Sequence, residues 1–347
     1  MPSRGGSNAA VDYSGANMRR RNFLGLIASA AVWPLRAGAA LAAKIPRIGL
    51  LIAAGVESPV ARENFAEVRK ALVALGYVEG QNIVFEQRGG DGRAERLAAV
   101  ATELVDMKVD VIVAIATPAA RAAQRATAAI PIVVGSVGDP VQDGLVASLA
   151  HPGGNITGTT FLGPELVPKR FALLKELIPA VSRVAVLWNP GAFGERTTTD
   201  MVNQAAAAAK SLGLQLSYIE VRGLDEFERA FAEAAEARVD ALFQFPNPTF
   251  YENRKRLVEL AAKYRLAAMW NAREFVEVGG LIGYGASPLG LNGRTAVYVD
   301  KILKGAKPAD LPVEQPTIFD FAINRATANT LGISIPQTLL ATAEVIE

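Results

Sequence analysis

The residues that could do chemistry in this chain cluster where apolar strands end and helices begin. Ser58 closes the loop Ala53-Ala54-Gly55-Val56-Glu57-Ser58, and Thr117 and Pro118 follow Val111-Ile112-Val113-Ala114-Ile115-Ala116. Asn189 follows Trp188, and Asn247 lies in Pro246-Asn247-Pro248-Thr249. In an open α/β sheet such positions meet the ligand. Pro118 in a first helical turn, with Thr117 as N-cap, leaves amides free for a carboxylate. Capping alone is the competing account of Thr117 and of Ser58. Ser136-Val137-Gly138-Asp139-Pro140 adds a hydroxyl and an acid. Asp139 either holds a ligand ammonium or caps a helix starting near Val141. Trp188, Trp270 and Tyr284, at three strand ends, would form an aromatic wall. Arg273 and Glu274 read as a surface ion pair or as the rim of a cleft.

Catalytic patterns are missing. His151, the single histidine, lies in His151-Pro152-Gly153-Gly154-Asn155 without an acid and a nucleophile as companions. There is no G-x-S-x-G elbow, Walker A loop or G-x-G-x-x-G turn, and Gly89-Gly90-Asp91-Gly92 has the wrong spacing for one. Zero cysteines exclude a disulfide framework, a thiolate metal site and a cysteine nucleophile. The expectation is a binding protein with no catalytic residue, metal or cofactor.

The elements that must position these loops occur twice. Arg47-Ile48-Gly49-Leu50-Leu51, Leu75-Gly76 and Val109-Asp110 return as Arg183-Val184-Ala185-Val186-Leu187, Leu212-Gly213 and Val239-Asp240, displaced by 136, 137 and 130 residues. Periodicity predicts strands at 47–53, 82–88, 110–116 and 131–135, then at 183–188, 214–221, 239–245, 266–270 and 281–284. Helices are predicted at 59–75, 93–107, 118–128, 141–149, 165–178, 196–212, 225–237, 250–264 and 290–304, with a last strand and helix in 317–331. Alternation of this kind makes parallel sheets covered on both faces. Two copies predict two Rossmann-like lobes joined by a hinge of several crossings. Lobe 1 would hold 44–161 plus about 283–306, and lobe 2 would hold 162–282 plus about 307–347, with crossings near 161–163, 278–283 and 307–316.

Residues 1–43 read as a leader. Arg19-Arg20-Arg21-Asn22-Phe23-Leu24 precedes a short apolar run and Ala40-Leu41-Ala42, the pattern of an export signal with cleavage near Ala42 or Ala43. The paired arginines resemble the twin-arginine type. Residues 1–17 look like neither signal nor domain, and Met18 is an alternative start. The leader carries five arginines against Asp12, so the +2 of the whole chain becomes about −2 without it. The basic balance therefore says nothing about nucleic acid.

Longer stretches carry a resemblance. They are Ala116-Thr117-Pro118-Ala119-Ala120, Gly138-Asp139-Pro140-Val141, Gly144-Leu145-Val146-Ala147-Ser148-Leu149-Ala150-His151-Pro152-Gly153-Gly154-Asn155, Gly279-Gly280-Leu281-Ile282-Gly283-Tyr284-Gly285 and Ile302-Leu303-Lys304-Gly305-Ala306-Lys307-Pro308. In these the chain resembles the ABC-transporter substrate-binding protein family of the tryptophan- and tyrosine-binding type. The resemblance implies a type I periplasmic-binding-protein fold and an exported, periplasmic, monomeric receptor. Such a receptor closes on a small solute and delivers it to an ABC permease in the inner membrane after passing the export translocon. A sensor subunit for a signalling receptor and an exported two-lobe transferase are the alternatives. Asn247 stands where family members often carry Asp, and Trp188 where a small aliphatic is usual, so the family's aromatic amino acid is not carried over.

Overall fold

The computed structural model describes residues 44–347, and the leader expected over 1–43 lies outside them. The first run of elements is β1 (Arg47–Ile52), α1 (Pro59–Ala74), β2 (Val84–Gly89), α2 (Ala94–Asp106), β3 (Val111–Ile115), α3 (Ala116–Ala126), β4 (Ile132–Val137) and β5 (Ile156–Thr160). A second run follows as α4 (Val167–Leu177), β6 (Arg183–Trp188), α5 (Glu195–Leu212), β7 (Gln215–Glu220), α6 (Phe227–Glu236), β8 (Ala241–Gln244), α7 (Pro248–Glu252), α8 (Arg254–Lys263), β9 (Ala267–Trp270), α9 (Arg273–Glu277) and β10 (Ile282–Gly285). The chain returns through α10 (Pro288–Leu303) and ends in β11 (Asp320–Asn324), α11 (Arg325–Leu331), α12 (Gln337–Leu340) and β12 (Glu344–Ile346). Among the described residues no helix is long and apolar enough to cross a membrane.

Two sheets result, ordered β2-β1-β3-β4-β5 and β12-β11-β10-β9-β8-β6-β7. The repeated sequence becomes a repeated order, since β2-β1-β3-β4 corresponds to β7-β6-β8-β9. The repeat extends to single hydrogen bonds. Asp110 accepts from the Arg47 amide at 2.8 Å, and Asp240 accepts from the Arg183 amide at 2.8 Å. Ahead of each aspartate the chain leaves a helix through a left-handed residue, Lys108 (φ 53°) or Arg238 (φ 50°). The next amide closes the helix end, Val109 onto the Leu104 carbonyl and Val239 onto that of Ala234. This joint fixes where an inner strand of each sheet starts, β3 in one and β8 in the other.

Strand β3 is buried at all five positions, as the inner strand of a parallel sheet covered on both faces must be. Helix α1 starts at the Ser58 cap, whose hydroxyl accepts from the Ala61 amide, and buries Val60, Ala61, Phe65, Val68 and Leu72.

Several expectations are corrected. Residues 141–149 form turns instead of a helix, because Pro140 presents one carbonyl to both the Leu145 and Val146 amides and Gly144 turns left-handed at φ 69°. The helix expected over 250–264 is two, broken at Asn253. Thr117 is inside α3, not at its cap, which is Ile115. Residues 282–285 belong to the second sheet, hydrogen-bonded between β9 and β11, so the chain returns to the first lobe after Gly285. Residues 308–314 run beside β5: Thr157 donates to the Leu311 carbonyl at 2.7 Å and Glu314 donates to that of Gly158 at 2.8 Å. The last exchange therefore follows Glu314.

Candidate functional site

Strand ends from both sheets face one open cleft of about 1070 Å³, the part continuous with solvent included. The first lobe lines it with Ile52 to Ala54 after β1, Ile115 and Ala116 after β3, Ser136 in β4, Asn64 of α1, and Pro288 and Asn292 of α10. The second lobe supplies Phe161, Arg170, Phe193, Pro246 to Thr249, Tyr251, Glu252, Asn271 and Tyr284.

Three of these polar residues interrupt the buried stripe of a helix. In α1, Asn64 is buried beside Phe65 and Val68, and its Nδ2 donates to the Val60 carbonyl at 2.7 Å. In α10, Asn292 is buried and its Nδ2 donates to Asn64 Oδ1. The Val60 carbonyl fixes the Asn64 amide, Asn64 then fixes Asn292, and Asn292 Oδ1 is left buried without a partner. In α4, Arg170 shares the stripe with Val167, Phe171 and Leu174 and is only 1 % exposed. Its Nη1 donates to the Gln244 carbonyl at 3.1 Å, and its guanidinium lies 4.9 Å from the Phe243 ring centre. Nε and Nη2 have no partner. Burial pushes this guanidinium down to about 9, which leaves it charged at neutral pH.

The expected site residues fall into two groups. Ser136, Asn247 and Tyr284 line the cleft. Ser136 has φ 52° and donates to the Pro288 carbonyl at 3.1 Å. Asn247 caps α7, its Oδ1 accepting from the Phe250 amide at 3.1 Å. Tyr284 stacks on Phe319 at 6.0 Å.

The others lie outside the lining. Thr117 is buried and its hydroxyl accepts from the Gly138 amide at 3.2 Å, with Pro118 half-buried beside it in α3. Asp139 accepts from the Val141 and Gln142 amides at 3.0 and 2.9 Å, organising the turn. Trp188 meets Tyr218 edge-on, and Asn189 accepts from the Gly191 amide. Trp270 is fully buried, stacked on Phe275 at 4.8 Å. Ser58 caps α1 and adjoins the Glu252 carboxyl; burial pushes that carboxyl above the usual range and the Ser58 hydroxyl opposes the shift.

Other contacts join the lobes at two places. At one, Asp143 accepts from the Gly194 amide at 3.0 Å and from the Thr197 hydroxyl at 2.8 Å, at the start of α5. Burial raises this carboxyl while Thr197, Arg121 and Gly194 pull it down. At the other, Arg254 Nη2 lies 3.2 Å from both oxygens of Glu63.

The sequence profile of the ABC transporter substrate binding protein family matches residues 50–346. A curated relative, the "Tyrosine-binding protein" of Clostridioides difficile (strain R20291), is 27 % identical over 265 residues, covering 76 % of this chain and 75 % of that one. Among solved structures, a conserved domain protein from Vibrio cholerae superposes with a TM-score of 0.80 at 30 % identity, covering 88 % of this chain and 100 % of the other. An ABC domain from Streptococcus pneumonia in complex with L-Trp superposes with a TM-score of 0.78 at 28 % identity, covering 87 % and 99 %. With its profile matched over residues 50–346 and two sheets flanking a cleft, this chain belongs to the ABC transporter substrate-binding protein family.

Proposed function

We propose that this protein is an exported receptor, without catalytic activity, that encloses a small organic solute between its lobes and delivers it to an inner-membrane ABC permease. One observation carries the reading. Residues with buried, unpartnered polar atoms line the cleft on both sides, Asn292 with its Oδ1 in the first lobe and Arg170 with its Nε and Nη2 in the second. Unpaired buried polar atoms are costly, and a solute reaching across the cleft removes that cost in the closed state alone. Glu252 is the one carboxylate in the lining, no histidine lines the cleft, and the Ser58 hydroxyl beside Glu252 caps α1, which favours capture over chemistry.

The test is native mass spectrometry on protein purified from its own host, followed by X-ray scattering as the released solute is added back. The reading expects one small molecule per chain and a contraction on rebinding. A chain that carries no solute and does not contract with any candidate refutes it. Export is tested separately: replacing Arg20 and Arg21 by Lys should leave the precursor in the cytoplasm if the twin-arginine route is used.

A further inference from the structure

Helix α5 begins without a cap of its own. Its N-cap is Gly194, which has no side chain to offer the first turn. By contrast α1, α7, α10 and α11 start at Ser58, Asn247, Ser287 and Asn324, each accepting from an amide of its own helix. The missing acceptor comes from the other lobe. Asp143, in the turn after β4, takes the Gly194 amide at 3.0 Å and the Thr197 hydroxyl at 2.8 Å, and Arg121 of α3 lies 3.5 Å from the same oxygen. The Asp143 side chain has no exposed surface, although Val141 and Gly144 on either side of it are exposed. Two glycines let the lobes come this close. A Cβ at Gly194 would collide with Asp143 Oδ1 and Arg121 Nη2, and one at Gly138 would come within 3.0 Å of the Phe193 ring. Gly194 has φ −66°, a conformation open to any residue, so its position calls for close approach and not for a glycine backbone.

We propose that Asp143 is a latch of the closed receptor, capping α5 across the lobes only while they are together, and so setting how tightly and how long a solute is held without touching it. This rests on the receptor reading and adds a residue to it. Asp143, Arg121, Gly194 and Thr197 all lie outside the cleft lining, so the latch acts on any solute alike and gives no specificity. A cap within one helix stabilises the fold in every state. A cap supplied by the opposite lobe returns its donors to water on opening, and its whole worth then falls on the closed state. The carboxylate also meets the positive end of an 18-residue helix. Its Oδ2 gains no partner there, which holds the net gain to that of one cap, a shift of about 10-fold in the closing equilibrium. The other joining contact, Arg254 with Glu63, has side chains 20 % and 40 % exposed, so water screens it and it contributes less.

The test needs no knowledge of the solute. The chain has no cysteine, so Ala99→Cys in α2 and Ala207→Cys in α5, both at exposed positions, carry one spin label on each lobe. Pulsed EPR then follows the distance between them as the low-molecular-mass fraction of a host-cell extract is titrated in. Asp143→Ala and Gly194→Ala should each need about 10-fold more extract for half closure, and reopening on dilution should be about 10-fold faster. Asp143→Asn keeps an acceptor oxygen for the Gly194 amide and should lose less than Asp143→Ala. Melting temperatures without extract should stay within about 3 °C of the wild type, because the open chain does not use the contact. The latch is overturned if the variants close at the wild-type amount of extract. It is equally overturned if Asp143→Ala and Gly194→Ala both melt lower than that margin without extract, the mark of a contact made in every state. Unchanged midpoints in the variants would sink the latch alone and leave the receptor reading standing. A labelled wild type that never shortens its distance with extract would sink the receptor reading and the latch with it.

Discussion

The two lobes share a frame and differ in what they hang on it. Both start an inner strand with an aspartate clamping an arginine amide, and both order their first four strands alike. At the cleft the likeness ends. The first lobe presents mostly small groups and backbone after its strands, Ala53, Ala54, Ala116 and Ser136, while the second presents Arg170, Asn247, Thr249, Tyr251, Glu252 and Asn271. A duplicated scaffold can diverge in this way because loops after parallel strands contribute little to the core and tolerate replacement. The difference predicts that a solute held between the lobes is recognised mainly by the second, with Asn64, Ser136 and Asn292 the polar side chains that line the cleft from the first.

The largest effect that could break this comparison is a contrast in solute affinity. Ser136→Ala in the first lobe should change it by less than about 3-fold, since its hydroxyl already donates to the Pro288 carbonyl, whereas Arg170→Gln should cost about 100-fold. Comparable losses from the two substitutions would mean that recognition is shared equally.

The shared frame predicts a smaller, thermodynamic pair. Asp110→Ala and Asp240→Ala each remove an acceptor from a strand-start amide. Asp110 is half-buried and Asp240 exposed, so the costs should be about 2 and about 1 kcal/mol in urea unfolding. The Arg183 amide holds the Asp240 carboxyl below its ordinary value. Its contribution is therefore complete above the unfolded carboxylate range near pH 4 and lost as pH falls through the lower folded value. An Asp240→Ala variant should lose the least stability, relative to the wild type, at the acid end. A constant difference down to pH 2 would contradict this.

How much of this was legible in the sequence follows from the same contrast. The frame was readable because it is local and repeated: an arginine followed by a β-branched residue (Arg47-Ile48, Arg183-Val184) and Val-Asp recur at nearly fixed offsets, and the apolar strands announce their burial. The cleft was only partly readable. Loops at strand ends pointed to Ser136, Asn247 and Tyr284, which line the cleft, and to Thr117 and Asp139, which lie outside the lining and accept from amides of their own lobe. Arg170, Asn64 and Asn292 are in helices, where a polar residue reads as part of a solvated face. The signal was present in their phase. Arg170 is three residues after Val167 and four before Leu174, on the buried stripe of α4. A polar residue in the apolar phase of a helix conflicts with the pattern around it, and functional sites are where such conflicts persist. The exchange points were displaced because a strand as short as β10 and the stretch beside β5 take their lobe from partners distant in sequence.

The smallest predicted effect concerns the first lobe's lining. Ala116 and Ser136 line the cleft in the left-handed region, at φ 67° and 52°, and no non-glycine residue of the second lobe's cleft loops between 188 and 286 shares that conformation. For an L-residue that backbone costs about 1–2 kcal/mol, and a glycine would relieve it while adding unfolded-state entropy worth roughly half as much. Ala116→Gly should therefore raise apo stability by about 0.5–1 kcal/mol in urea unfolding, with solute affinity unchanged or lowered by less than about 3-fold. A stabilised variant with intact affinity would show that this lining needs only to be small. If Ala116→Gly instead lost affinity on the scale of Arg170→Gln, the strained backbone of the first lobe would be holding the solute directly, and the division between a recognising lobe and a closing one would fail.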